Sequence, residues 1–135
     1  MRVFFDENMP RQFGKLLEPH EVSNVERMGW KGKKNGELLR LVEERFDVMM
    51  TSDQALAFQT NFVGRNLSLI VLPTQRLILL RANAIAVRVT LDELSAFDHH
   101  AIITIDWRGR RKMRRLDQPG EFEIELTQVA AFPSR

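Results

Sequence analysis

The chain has 135 residues, is 44% hydrophobic and carries a formal charge of +2. That length fits one domain, and the apolar fraction is enough to build a core. There is no cysteine, which excludes disulfides and thiolate metal sites, and no apolar run reaches the ~18–20 residues that a membrane-spanning helix needs.

Met1 leads straight into Arg2-Val-Phe-Phe, with no secretory leader, so a cytoplasmic protein without membrane association is expected. The short apolar run predicts a strand buried on both faces, ending at Asp6-Glu7-Asn8. Pro10 suits a helix first turn, Phe13, Leu16 and Leu17 follow at helical spacing, and Pro19 ends that helix. Residues 21–25 read as a second strand, and the stretch from Gly29 to Gly36 as a loop. Asn35 is placed as a helix N-cap with Glu37 in the first turn, and Leu38, Leu41, Val42 and Phe46 form the apolar face. Residues 47–51 form the next strand, closed by Ser52-Asp53. A helix over 55–62, a strand over 67–72 and one long helix over 77–97 follow, with Val87, Val89 and Thr90 weakening the middle of the last.

This alternation predicts a parallel sheet wrapped by helices. The end differs, because 101–105, 111–116 and 121–127 read as consecutive strands joined by turns at Arg108-Gly109 and Asp117–Gly120. The fold class expected is α/β, with a mostly parallel central sheet and a C-terminal antiparallel hairpin or meander. Residues 1–116 form the main unit and 117–135 a strand extension of it, with fraying expected from about 130 onward.

Asp6 closes the first strand and Asp53 the third, and the carboxyl ends of parallel strands share one edge of a sheet. Glu37 opens the helix between them, so three distant carboxylates are expected to meet there. Crowded carboxylates repel one another unless a cation intervenes, and hard oxygen donors suit Mg²⁺ or Mn²⁺. Each acid also has a plainer reading: Asp6 and Asp53 as helix caps, Glu37 as a partner of the helix dipole. Asn8, Gln59 and Asn61 are candidate supporting oxygen donors, with turn or cap roles as the alternative.

The segments VFFDENMP, GWKGKKNGELL and DVMMTSDQALAFQTN, in that order, resemble the PIN-like proteins related to VapC toxins. The resemblance covers about residues 1–116. It implies a PIN-like three-layer fold and a metal-dependent endoribonuclease, the toxin of a type II toxin–antitoxin pair, that leaves 5′-phosphate and 3′-hydroxyl ends. It carries family acids onto Asp6, Glu37 and Asp53, and it implies a homodimer and a small antitoxin protein as partners. Ala55 and Leu56 stand where many PIN domains carry a fourth acid, so a binding protein that has lost turnover is an alternative.

Residues 107–115, WRGRRKMRR, form a dense basic block suited to an RNA backbone, with Trp107 as a stacking platform. Arg108, Arg110, Arg111, Lys112 and Arg114 are the candidate phosphate contacts, joined by Lys33 and Lys34 beside Glu37. The rival reading pairs this strand with EFEIEL so that charges neutralise across the ladder. Trp30 reads either as an anchor for a partner or as a cap on the core. A phosphoacceptor receiver domain would also use acids after the first and third strands, but Ile105-Asp106 stands where its lysine is needed.

Overall fold

The computed structural model describes residues 1–120 and 122–133; Glu121, with which the last expected strand begins, and Ser134 and Arg135 lie outside the described residues. Seven strands form one sheet: β1 (Arg2–Phe5), β2 (Glu21–Asn24), β3 (Val48–Thr51), β4 (Ser68–Val71), β5 (Ala101–Ile105), β6 (Arg111–Arg115) and β7 (Ile124–Leu126). Their spatial order is β2-β1-β3-β4-β5-β6-β7, parallel through β5 and antiparallel thereafter. The chain is therefore α/β with a mixed, mostly parallel sheet, and the segment after 116 adds β7 to that same sheet.

The apolar runs make central strands because side chains alternate between two covered faces. Val3, Phe5, Val48, Met50, Ile70 and Ile103 pack on one face beneath the 3-10 helix Arg11–Leu17 and helices α4 (Leu77–Ala82) and α5 (Ala84–Ala96). Phe4, Met49, Leu69, Val71 and Ile102 pack on the other beneath α1 (Val25–Met28) and α2 (Asn35–Arg45). Full burial of each such side chain is worth about 1.5–3 kcal/mol. Trp30 belongs to this second cluster, its ring 5.9 Å from Phe4 and 6.1 Å from Phe46, so it caps the core. No helix is long and apolar enough to cross a membrane among the described residues.

Several local expectations are corrected. The segment after Pro10 winds as a 3-10 helix, with Pro10 itself extended before it. Lys34, not Asn35, is the N-cap of α2, and no side chain caps that terminus. The helix over 55–62 shrinks to α3 (Leu56–Gln59), because Asn61 turns the chain by accepting the Val63 N–H through its Oδ1. The long helix over 77–97 breaks at Asn83, whose buried amide donates to the Ala130 carbonyl at 2.7 Å. The β-branched Val87 and Thr90 instead sit buried within α5. The same Asn83 bond holds the C-terminal segment, as does the Phe132 N–H bound to the Trp107 carbonyl. Phe132 is buried, so the chain is anchored that far rather than frayed from residue 130.

The largest correction concerns Arg111. It alternates with Met113 toward α5, and its side chain is 1% exposed. Its guanidinium grips Glu93 at 2.6 and 3.3 Å, Thr90 Oγ1 at 3.2 Å and the Thr127 carbonyl at 2.7 Å. Arg111 is thus a core strut joining α5, β6 and the segment after β7, with no face left for RNA. Glu93 is partly exposed, but removing the guanidinium empties a core position and takes a partner from the buried Thr90 hydroxyl, so Arg111→Ala should lose about 2 kcal/mol. Arg110→Ala, on the exposed turn, should stay within about 0.5 kcal/mol of the parent. Urea unfolding of the two variants checks this; equal stabilities would show that the buried bridge holds nothing.

Candidate metal centre at the carboxyl edge

The chain leaves β1 for the outer strand β2, then crosses back past β1 to form β3. Between β1 and β3 the direction of winding switches, and the crevice outside their carboxyl ends is where open α/β sheets bind ligands. The pairing Phe5↔Met50 is continued by the Asp6 N–H donating to the Met50 carbonyl at 3.0 Å. Asp6 and Thr51 therefore emerge side by side.

Their side chains are bonded. The Thr51 hydroxyl donates to Asp6 Oδ2 at 2.8 Å and accepts the Asp53 N–H at 3.0 Å. Asp6 Oδ1 accepts the Glu7 N–H at 2.8 Å, and Asp53 Oδ1 accepts the Ala55 N–H at 3.0 Å. Each acid thus has the turn-capping role open to it, yet each carboxylate oxygen keeps at least one lone pair. Thr51 is fully buried and Asp53 is exposed, so the cluster is anchored below and open above. Thr51 is a site residue that the acidic pattern alone does not mark. Its signal was a hydroxyl at the last position of an otherwise apolar strand.

Glu37 is not gathered with the two aspartates. Among the described residues no group of three or more acidic or histidine side chains stands close enough to share an ion. Glu37 lies exposed on the first turn of α2 and pairs with Lys33 at 3.1 Å. The donor set nonetheless fits a hard cation. Asn8, two residues after Asp6, has a buried Oδ1 without a hydrogen-bond partner among the described residues. Mg²⁺ is held by one or two carboxylates with several waters and substrate oxygens, rather than by an all-protein cage. Asp6 and Asp53 supply the two carboxylates of that pattern. Asn61 is spent on its own turn, and Gln59 is exposed at the end of α3.

The basic block meets the same edge. β5 runs parallel to β1 and β3, so the turn after Ile105 projects where Asp6 and Asp53 do. Asp106 Oδ1 accepts the Arg108 and Arg110 N–H groups, each at 2.9 Å, which tightens the turn. Gly109 there has φ +80°, and a Cβ would lie 2.1 Å from the Val129 carbonyl oxygen, so only glycine fits. Arg108, Arg110 and Lys112 are exposed, Arg114 is half-buried, and Trp107 is 40% exposed. Lys112 stands opposite Glu125 in register, as a neutralising ladder requires. Beyond the turn, Arg115 forms a two-armed bond to Asp117, which holds that carboxyl below its usual range and raises the guanidinium.

No protein-family model matches the chain, and no curated protein or solved structure matches it. The Thr51 bridge can be tested by itself. Thr51→Val keeps the shape but strands the Asp53 N–H and one oxygen of Asp6, so it should lose about 1–3 kcal/mol. Its Mn²⁺ affinity, followed by titration calorimetry, should also drop, because the two acids are no longer held together. Parental stability and affinity in this variant would mean that the hydroxyl organises nothing.

Proposed function

We propose that the chain is a PIN-like, metal-dependent endoribonuclease that hydrolyses RNA phosphodiester bonds, acting as the toxin of a type II toxin–antitoxin pair. The observation that carries the reading is the Asp6–Thr51–Asp53 linkage in the crevice between β1 and β3. Mg²⁺ or Mn²⁺, when bound, supplies an acidified water and neutralises charge on the phosphodiester. Asp6 and Asp53 would hold the ion and Asn8 Oδ1 would add a neutral donor. Glu37 would orient the attacking water, once turned from Lys33. Lys33, Lys34, Arg108, Arg110 and Lys112 would steady the phosphates, with Trp107 against a base; Arg114, half-buried, would contribute less. The homodimer and the antitoxin rest on the family resemblance, and exposed Ile78 and Ile85 on α4 and α5 give a second copy an apolar surface. Co-purification followed by light scattering tests that part.

A second reading is favoured by one observation. The order β2-β1-β3-β4-β5 is also that of flavodoxin-like sheets, which suits a phosphoacceptor domain. Asp106 after β5 is committed to its turn and supplies no lysine-like cation there. Labelling of Asp53 by acetyl phosphate would support that reading over hydrolysis. A protein that binds RNA without turnover is the remaining alternative.

Asp6→Asn and Asp53→Asn should each abolish cleavage of single-stranded RNA in Mg²⁺ or Mn²⁺, a loss of at least ~100-fold. Both should keep the fold, since asparagine still accepts the Glu7 or Ala55 N–H and caps about as well. Glu37→Gln should slow cleavage strongly while retaining much of the metal affinity. Cleavage assays with a chelator control, alongside thermal melts, decide the matter. Activity that survives chelation, or full activity in both aspartate variants, rules the site out.

A further inference from the structure

β2 is the outer strand of the sheet, paired with β1 alone. A groove of about 1030 Å³ runs along it. Five exposed cations line it from four elements: Arg2 of β1, Arg11 and Lys15 of the 3-10 helix, Arg27 of α1 and Arg45 of α2. Its acids are two, Glu18 and Glu21, and both lie at the amino end of β2. Lys15 and Arg45 have no ion-pair partner among the described residues. The Arg11 guanidinium holds Glu26 through a single exposed contact at 3.3 Å, and that of Arg2 reaches Asp47 only at 3.4 Å, its backbone N–H making the shorter bond to that carboxylate at 2.8 Å. Such side-chain contacts contribute little to stability and yield readily to a polyanion.

Near the carboxyl end of β2 lies a second pocket, of about 390 Å³, lined by the acids Asp6, Glu7 and Glu26 and by Arg11 and Lys31. A basic groove therefore follows the four residues of β2, about 13 Å, and two of its lining residues, Arg11 and Asn24, also border the pocket of the candidate metal ligand. None of its cations belongs to the basic block at 107–115.

We infer that this groove is the path by which single-stranded RNA reaches Asp6, its phosphates lying among Arg11, Lys15, Arg27 and Arg45. The inference rests on the nuclease reading and names the surface that positions its substrate. Cations spread over four elements suit a flexible chain of phosphates, each of which releases counterions when neutralised. An acidic peptide adding a strand to β2 fits less well. The Val22 carbonyl already accepts from Arg27 at 3.2 Å, which takes an acceptor that an added strand would need.

The test is binding of a fluorescein-labelled oligouridylate in EDTA, read by anisotropy over a range of salt. The triple variant Lys15→Ala, Arg27→Ala, Arg45→Ala should bind roughly tenfold more weakly or worse, with a salt slope reduced by about 0.7 for each lost contact. Circular dichroism establishes that the variant is folded. If it is not, acetylation of wild-type Lys15 gives the answer, because bound RNA should protect it. Unchanged affinity and slope in a folded triple variant, or unprotected Lys15, overturns the inference, as does a polyglutamate peptide that occupies the groove when RNA does not. Because EDTA removes hydrolysis, groove binding without cleavage defeats only the nuclease reading. Cleavage with groove variants that bind normally defeats only the groove.

Discussion

The parallel pairing of β1 with β3 is the constraint on which the rest of the molecule depends. Its register, Val3↔Val48 through Phe5↔Met50, is fixed by side chains that must alternate between two buried faces. A slip of one residue would turn Phe4 and Met49 into the wrong core. The same register delivers Asp6 beside Thr51, and so ties two acids, 47 positions apart by their numbers, to one hydroxyl. The candidate chemistry is therefore a by-product of core packing, and the apolar strands beneath it need no functional explanation.

Charge is divided on the same physical terms. Arg111 and Arg110 are neighbours in one basic run, yet α5 covers one and solvent the other. Arg110 ends the turn in solvent, whereas Arg111 opens β6, where every second side chain faces α5. The exposed Trp107, Arg108 and Arg110 lie at the β5–β6 turn, on the edge that carries Asp6 and Asp53, and the β2 groove lies toward the opposite end of the sheet. A polyanion crossing the edge would meet cations on both sides of the acids. The C-terminal segment holds the turn in place through Gln128, Val129 and Phe132, so its cations sit on a fixed scaffold.

The strands were legible because their apolar runs have one explanation. Arg2–Phe5 and Ala101–Ile105 carry the residues that the expected runs named. Less legible was whatever depends on a distant partner. Asn83 reads as an interior helix residue until Ala130 captures its amide. Arg111 reads as surface until Glu93 and Thr127 close on it. In the candidate site, the two aspartates at strand ends could be placed from topology alone, since parallel strands share an edge. Glu37 could not, because a loop of six residues, 29–34, precedes α2 and no strand register controls where its first turn points. The five groove cations were invisible for a similar reason: they are scattered between positions 2 and 45 and share no spacing.

Whether Asp6 and Asp53 share one divalent ion can be seen directly. Crystals soaked in Mn²⁺ and measured at its absorption edge would locate the ion by anomalous scattering. A shared site should give a peak between the two carboxylates, about 2.0–2.2 Å from an oxygen of each. An ordered crevice in saturating Mn²⁺ with no such peak, or an ion bound to neither aspartate, would contradict it.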